Sequence, residues 1–266
     1  MSLLDDIVRT KTAEAARLRP IDAGPTTSRV DVVGNLRRTA GPARSPLRLL
    51  AEVKFKSPSA GPLSRALDAG ARAVAYARGG ATLVSVLCDG TWFDGDWQHV
   101  RDARLALDAA GFDDVGVLAK EFVVDVAQVR MAATTGASAV LVIVRIVDDR
   151  TLGDLVRTSR DLGLEPLVEV TDDVELGRAL RAGARVVGVN ARDLDTLVLD
   201  RDRAAATVAS IPEACVALAL SGLRSEADVA EVARGRADGA LVGEILMRSD
   251  DPEPLVASFV RAANSP

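Results

Sequence analysis

The sequence has little of several residue types on which protein chemistry often depends. It has two cysteines, Cys88 and Cys215, both in strand-like apolar runs, and a single histidine, His99. Two such cysteines make no disulfide framework and suit a reducing cytoplasm. Because His99 has no partner His or Cys at ligand spacing, we expect no metal site and no Ser-His-Asp triad. No GxGxxG motif follows the first strand and no Walker loop is present, so we expect no cofactor.

Long hydrophobic runs and an excess of basic charge are also absent. The net charge is −5 with 27% charged residues, which argues against a nucleic-acid or anionic-membrane partner. No apolar run approaches the ~18 residues of a membrane span, and "MSLLDDIVRTKTAEAARLRP" lacks the charged-then-apolar order of a signal peptide. These features predict a cytoplasmic protein without nucleic-acid or membrane partners.

Lysine is scarce among the basic residues. Of the 33 basic residues only Lys11, Lys54, Lys56 and Lys120 are lysine, and the other 29 are arginine. Arginine stays protonated in proteins, whereas burial and neighbouring charges can tune a lysine amine. A retained lysine is therefore a candidate for acid–base work, with an ordinary surface position as the alternative. That alternative fits Lys11, in an amphipathic helical segment, better than Lys54 and Lys120, which each end a strand.

Short runs rich in Val, Leu and Ala alternate with Arg/Asp/Ala-rich segments of helical period. The runs are apolar on both faces, as strands of a helix-covered parallel sheet are. Eight strand–helix units predict an α/β fold, a (β/α)8 TIM barrel over residues 47–266, with an open doubly wound sheet as the alternative. The strand-like runs are "LRLLAEVKF", "TLVSVLCD", "GVLAKEF", "AVLVIVRI", "EPLVEV", "RVVGVNA", "CVALALS" and "GALVGEIL".

A weak internal repeat and a separate N-terminal segment complete this organisation. "GATLV", "GASAV" and "GARVV" each join a helix to the second, fourth or sixth strand, with glycine ending the helix. Residues 1–46 are predicted as an N-terminal helical extension and linker. Within them "LLDDIVRTKTAEAARL" is predicted to form an amphipathic helix on one end of the barrel, followed by the turn-rich "PIDAGPTTSRV".

Polar side chains stand at the carboxyl ends of the predicted strands, where active sites of such barrels lie. A single polar strand end needs no functional explanation, but two lysines and two glutamates converging on one rim favour general acid–base chemistry. The polar strand ends are Glu52, Lys54, Asp89, Lys120, Glu121, Arg145, Glu169, Asn190, Arg192, Ser221, Gly222, Gly243 and Glu244.

Two short loops at the ends of the last two strands are candidates for an anion site. "SGLRSEADV" and "VGEILMRSDDP" open helices with small residues, and phosphate commonly binds at such helix N-termini. Together with "SPSAG" after the first strand they predict a phosphorylated small-molecule substrate. A nonspecific glycine turn is the alternative.

These motifs resemble the indole-3-glycerol-phosphate synthase family, the ring-closing decarboxylases of tryptophan biosynthesis. The resemblance covers nearly the whole chain and rests on "AEVKFKSPSAG", "SVLCDGTWFDGD", "VLAKEFVVD", "EPLVEVTDDVELGRALRAGARVVGVNARDL", "SGLRSEADV" and "GALVGEILMRSDDP". It implies a metal-free carboxy-lyase that converts 1-(2-carboxyphenylamino)-1-deoxyribulose 5-phosphate to indole-3-glycerol phosphate.

The resemblance also implies roles for individual residues. Lys120 would be the general acid for ring closure and Glu169 the partner acid/base for dehydration. Lys54 would bind the substrate carboxylate and assist proton transfer, with Glu52 tuning it. The remaining implied contacts are Asn190, Arg192, Ser221 and Leu220 to the substrate, Ser57, Gly222, Gly243 and Glu244 to the phosphate, and Phe93, Leu118, Phe122 and Leu194 to the anthranilate ring. Ordinary core packing is the alternative for the four apolar residues.

The chain departs from the family pattern at several of these positions. Leu220 replaces a glutamate that precedes Ser-Gly, and loss of one acid–base group can cost ~10²–10⁴ in rate. Glu121, Thr171 and Ala191 replace the usual Asp, His and Asn. Three hypotheses follow: a working synthase with a variant site, a paralogue acting on another phosphorylated substrate, or a non-catalytic ligand-binding barrel.

We expect a monomer or a weak homodimer.

Overall fold

The computed structural model describes residues 3–19, 30–39, 45–58 and 60–264. Eight parallel strands in this part of the chain close into a barrel, in which the first strand pairs with both the second and the eighth. This closure confirms the predicted (β/α)8 barrel, and the open-sheet alternative is wrong. The strands are β1 (Arg48–Val53), β2 (Leu83–Leu87), β3 (Gly116–Lys120), β4 (Ala139–Ile143), β5 (Glu165–Val170), β6 (Val186–Asn190), β7 (Val216–Leu220) and β8 (Gly239–Val242).

Helices surround the barrel, and an aspartate or serine side chain begins most of them. Asp68, Asp125 and Asp172, for example, each accept a hydrogen bond from a backbone N–H in the first turn of their helix. The described helices are α1 (Leu3–Ala15), α2 (Val32–Leu36), α3 (Ala69–Arg78), α4 (Gly90–Phe93), α5 (Trp97–Ala109), α6 (Val126–Thr134), α7 (Asp149–Asp161), α8 (Asp173–Arg181), α9 (Arg201–Ser210), α10 (Glu226–Arg234), α11 (Glu244–Arg248) and α12 (Glu253–Ala263). None of these described helices is long and apolar enough to cross a membrane.

Two predicted strands are shorter than their apolar runs. "AVLVIVRI" leaves the sheet after Ile143 and continues as a 3-10 turn over Val144–Ile146. "GALVGEIL" leaves it after Val242 and becomes helix α11. In both cases the chain turns where the barrel ends. The predicted strands were too long because an apolar run alone does not distinguish a strand from the buried start of the next element.

Two groups of buried apolar side chains form the core. One fills the barrel and includes Leu50, which lies beside Leu83 of β2 and Leu241 of β8 in the sheet register. The other lies between the outward faces of the strands and the helices. Because alternate residues of a strand point to opposite faces, each strand contributes to both groups. Because side chains fill the barrel, the rim at the carboxyl ends of the strands is the place to look for an active site.

The glycines of the internal repeat have the backbone conformation that the repeat predicts. Gly80, Gly136 and Gly183 have φ angles of 97°, 79° and 84°, in the left-handed region that favours glycine. They end the helices before β2, β4 and β6, so the repeat marks the same junction in alternate units.

The N-terminal helices lie against the barrel. Ile7 of α1 belongs to the barrel-filling cluster, as does Leu36 of α2. The side chain of Arg37 donates to the carbonyls of Glu213 and Ala214, just before β7. The α2 segment is thereby fixed at the amino ends of the strands. The predicted division into residues 1–46 and 47–266 stays a prediction, and the predicted linker lies, except for Val30, outside the described residues.

Candidate active site

Glu52 and the two lysines predicted to act with it form one buried ionic group at the end of β1. The Glu52 carboxylate lies 2.8 Å from Nζ of Lys54 through Oε1 and 2.7 Å from Nζ of Lys120 through Oε2. Burial alone would raise the pKa of Glu52, but Lys120 and Lys54 lower that pKa to about 2. The carboxylate is therefore ionised at neutral pH and fixes both ammonium groups in place.

The absence of a side chain at Gly243 makes this arrangement possible. A Cβ atom at this position would lie 2.8 Å from Oε1 and 3.2 Å from Cβ of Glu52, which is closer than real Cβ contacts. Gly243 thus gives the carboxylate of Glu52 its room, in addition to its predicted role in phosphate binding.

Burial and neighbouring charges set the protonation states of Lys120 and Glu169. Burial lowers the pKa of Lys120, but the charges of Glu52 and Glu169 outweigh it and raise that pKa above its usual value. Burial raises the pKa of Glu169, and Lys120 and Asn190 offset this only in part. Lys120 therefore stays a proton donor at neutral pH, while Glu169 is a stronger proton acceptor than an exposed carboxylate.

Asn190 connects Glu169 to the loops that follow β6 and β7. Its Nδ2 donates to Oε1 of Glu169 at 3.0 Å, and its Oδ1 accepts from Oγ of Ser221 at 2.8 Å and from the backbone N–H of Arg192 at 2.9 Å. Ser221 has a φ of 71°, an unfavourable value for serine that persists only where the surroundings enforce it. Asn190 therefore orients both the carboxylate and the two loops.

These groups open into one cavity of about 180 Å³ at the carboxyl ends of the strands. All residues to which the family resemblance assigns a role, except Leu118, line it: Glu52, Lys54, Ser57, Phe93, Lys120, Phe122, Glu169, Asn190, Arg192, Leu194, Leu220, Ser221, Gly222, Gly243 and Glu244. Of the other polar strand ends, Glu121 also lines it, while Asp89 and Arg145 do not. Leu118 instead belongs to the barrel-filling cluster. It points inward like Lys120 but is two residues earlier on β3, so it lies one layer below the cavity.

The cavity has an apolar part, and a second part that is predicted to bind phosphate. Several polar groups of the second part are already paired within the protein. The centroids of the Phe93 and Phe122 rings are 6.1 Å apart, and the ring planes are tilted by 39°. The side chain of Glu244 is paired with Arg248, so a phosphate would meet its backbone N–H rather than its carboxylate. The N-terminus of α10 is closed by Ser225 and Asp228, which cap each other.

Sequence reasoning missed several residues that line the same cavity. Arg224 is the polar one of most interest, because it is a cation in the loop predicted to bind phosphate and its place in "SGLRS" could have identified it. The apolar ones are Leu87, Leu141, Ile143, Leu197, Leu223 and Leu241. Their only signal was membership of apolar runs, which most core residues share.

Comparisons with known proteins identify the family of the chain. A family model described as indole-3-glycerol phosphate synthase matches residues 8–259. The chain belongs to this family. An indole-3-glycerol phosphate synthase of Kineococcus radiotolerans is 40% identical over 100% of this chain and 97% of the relative, and one of Exiguobacterium sibiricum is 36% identical over 99% and 97%.

Solved structures that resemble the chain more distantly support the fold alone. A thiamine phosphate pyrophosphorylase from Pyrococcus furiosus has a TM-score of 0.61 at 15% identity, over 82% of this chain and 96% of that chain. A 3-hexulose-6-phosphate synthase from Salmonella typhimurium has a TM-score of 0.60 at 16% identity, over 82% and 99%.

The departures from the indole-3-glycerol-phosphate synthase pattern lie in different surroundings. Leu220 is buried and lines the cavity, where it packs over Gly188 together with Leu167. Thr171 is also buried, but its hydroxyl accepts from Arg145 and donates to Glu175. Ala191 contributes backbone bonds to Leu220 and Asp200. Of these three positions, only Leu220 changes the chemistry of the cavity wall.

Lys11 is not the surface lysine that its helix position favours. Its ammonium lies 2.6 Å from Oδ2 of Asp89, 3.1 Å from Oε1 of Glu121 and 2.9 Å from Oε2 of Glu14, and only Glu14 is exposed. Burial raises the pKa of Glu121 to about 7, although Lys11 opposes this. Asp89 pairs with Lys11 and caps the start of α4, and it does not line the cavity.

Lys11→Met is expected to lower the free energy of unfolding by about 3–5 kcal/mol, measured by urea denaturation. The substitution leaves Asp89 and Glu121 buried without their counterion, and breaking a buried pair from one side has this cost. Lys56→Met is the matched control, because Lys56 has one long bond to the carbonyl of Thr91 and should change stability by less than about 0.5 kcal/mol. Equal losses for the two variants would contradict the buried pairing.

Proposed function

We propose that this chain catalyses ring closure and decarboxylation of 1-(2-carboxyphenylamino)-1-deoxyribulose 5-phosphate to indole-3-glycerol phosphate. The observation that carries the proposal is the position of Lys120, protonated and held by Glu52 in the same cavity as Glu169. Membership of the indole-3-glycerol-phosphate synthase family supports the same reaction.

Lys120 is assigned as the acid of the ring-closing step. Its ammonium donates a proton to the ketone oxygen of the substrate as the ring carbon that bears the carboxylate attacks the carbonyl carbon. Carbon dioxide then leaves with its bonding electrons returned to the ring. The ionised Glu52 supports this step because it keeps the amine protonated and pointed into the cavity.

Glu169 is assigned to the dehydration step that follows. The Glu169 carboxyl gives a proton to the hydroxyl formed from the ketone, which leaves as water as the nitrogen electron pair expels it. The carboxylate then takes a proton from the methylene carbon next to the nitrogen, which completes the indole. Burial raises the pKa of Glu169, which suits a carboxylate that takes up and returns protons. Asn190 donates a hydrogen bond to Oε1 of Glu169, so the proton exchange is assigned to Oε2.

The rest of the cavity is assigned to binding. Lys54 is partly exposed and can meet the substrate carboxylate while it stays paired with Glu52. Phe93, Phe122 and Leu194 enclose the ring. The phosphate is assigned to the loops of Ser57, Gly222 and Gly243, with the backbone of Glu244. A monomer or weak homodimer and a cytoplasmic location stay predictions.

Incubation with this substrate, followed by the fluorescence of the indole product, tests the proposed function. Turnover that depends on enzyme concentration is expected. A protein that binds inorganic phosphate or the product but gives no fluorescence would instead be a paralogue with another substrate or a non-catalytic barrel.

Glu52→Gln is expected to move the alkaline limb of the pH profile of kcat to lower pH. The charge of Glu52 is a cause of the raised pKa of Lys120, and without it burial lowers that pKa. Since Lys120 acts in its protonated form, activity is lost as pH rises through the pKa, and a lower pKa brings that loss earlier. Glu165→Gln is the control, because Glu165 is buried at the opposite end of β5 and pairs with Arg185. An unchanged alkaline limb in Glu52→Gln would contradict the assignment.

A further inference from the structure

Arg145 joins three segments at the open end of the barrel. In the 3-10 turn after β4, its Nε donates to Oε1 of Glu175 at 2.8 Å, its Nη1 to Oδ2 of Asp193 at 2.9 Å and its Nη2 to Oγ1 of Thr171 at 2.7 Å. Each nitrogen serves a different partner, which the planar guanidinium allows and a lysine amine does not reproduce.

Asp193 is the centre of the β6–α9 loop, residues 191–200. Its Oδ1 accepts from the backbone N–H groups of Asp195 at 3.0 Å and Thr196 at 2.8 Å. Its own N–H donates to the carbonyl of Val198, and its carbonyl accepts from Leu197, whose φ is 59°. One carboxylate oxygen thus organises the loop, while Arg145 holds the other.

The β6–α9 loop carries part of the cavity wall. Arg192, Leu194 and Leu197 line the cavity, and Nη1 of Arg192 donates to the carbonyl of Leu197 at 2.9 Å. The direction in which these side chains point therefore depends on the conformation that Asp193 maintains. Arg145 itself is not among the described residues that line the cavity.

We propose that Arg145 is a positioning residue for the reaction, which acts through Asp193 to hold the β6–α9 loop against the substrate. The proposal rests on the proposed function. Arg145 makes no contact with Lys120, Glu52 or Glu169 in the bonds of the described residues, so we expect its removal to act mainly on substrate binding.

Arg145→Met is expected to raise KM about tenfold while kcat changes by less than about threefold, consistent with the loss of a charged hydrogen bond. Asp193→Asn should raise KM similarly. The double variant should be no worse than either single variant, because both remove the same link. Arg145→Lys should lie between wild type and Arg145→Met, since it keeps the charge without the three-way geometry.

Arg178→Met is the matched control. Arg178 donates to the carbonyls of Val144 and Val147, on either side of Arg145, and pairs with Asp149, but it does not bond the β6–α9 loop. It should reduce stability without changing KM. Additive effects of Arg145→Met and Asp193→Asn, or an equal rise of KM in Arg178→Met, would overturn the proposal.

Amide hydrogen exchange provides a test that needs no substrate. The amides of Asp193, Asp195, Thr196 and Leu197 should exchange about tenfold faster in Arg145→Met than in wild type, and at the wild-type rate in Arg178→Met. Unchanged exchange in Arg145→Met overturns the proposal. If the wild-type protein does not turn over the substrate, the proposed function fails, and the exchange comparison still decides the role of Arg145.

Discussion

Lys120→Met is expected to lower kcat by about 10²–10⁴-fold, the usual contribution of a positioned general acid. Methionine retains an unbranched side chain that fills the space of the lysine stem but provides no proton. Because Glu52 keeps Lys54 as a partner at 2.8 Å, the carboxylate does not lose all of its compensation. The rate is measured by indole fluorescence at saturating substrate, and KM should change much less than kcat.

Two further variants make the result of Lys120→Met specific. Lys56→Met removes a partly exposed amine that follows β1 and should keep the wild-type rate. Lys54→Met removes the other partner of Glu52 and should act mainly on KM, since Lys54 is assigned to the substrate carboxylate. A kcat for Lys120→Met within about tenfold of wild type would refute its role as the acid.

The convergence of Lys54, Lys120 and Glu169 could be predicted because the barrel topology fixes it. Once eight parallel strands are recognised, their carboxyl ends share one rim, and the last polar residue of each strand reaches it. The alternation of side chains along a strand also explains why Leu118 lies in the core, the alternative that the sequence left open for it. The alternation shows that Leu118 faces inward. It does not show at which residue of each strand the filled interior ends and the cavity begins, because that depends on the position of each strand along the barrel axis.

The burial of Lys11 depends on contacts that the sequence does not reveal. Its partners Asp89 and Glu121 are distant in the chain, and they meet Lys11 only because α1 lies across the carboxyl ends of β2 and β3. One local signal was present. Leu4, Ile7, Lys11 and Ala15 have the spacing of a single helix face, and all four are buried. The lysine therefore stands in the apolar stripe of its own helix.

The arginine at position 145 shows the same limit for polar networks. Its place after β4 was visible in the sequence, but its three partners come from the β5–α8 connection (Thr171), helix α8 (Glu175) and the β6–α9 loop (Asp193). Which charges pair depends on loop conformations such as the left-handed backbone of Leu197, and no periodicity in the sequence encodes these. The strand ends were thus predictable, while the loops between them were not.

Leu220 stands where the resemblance implies a glutamate in the family pattern. We expect this residue to affect both the free energy of unfolding of the protein and the rate of the proposed reaction. In the sheet register it lies beside Asn190 of β6 and Leu241 of β8. Its side chain fills the space over Gly188, where a Cβ atom would lie 2.5 Å from Cδ1 of Leu220. Leu220 therefore extends the apolar surface at the bottom of the cavity towards Asn190, which is hydrogen-bonded to Glu169.

Leu220→Glu is expected to raise kcat/KM by about 10²-fold, the lower end of the contribution of one acid–base group. The new carboxylate would face the substrate from the same level as Asn190, and its attraction for Lys120 would favour the protonated acid. We also expect the free energy of unfolding to fall by about 1–4 kcal/mol, because a charge replaces an apolar group in a buried setting. Leu220→Gln is the control, since it has nearly the same shape and no charge. If Leu220→Gln and Leu220→Glu have the same rate as wild type, then the two lysines, Glu52 and Glu169 are sufficient for the chemistry, and the leucine does not restrain it.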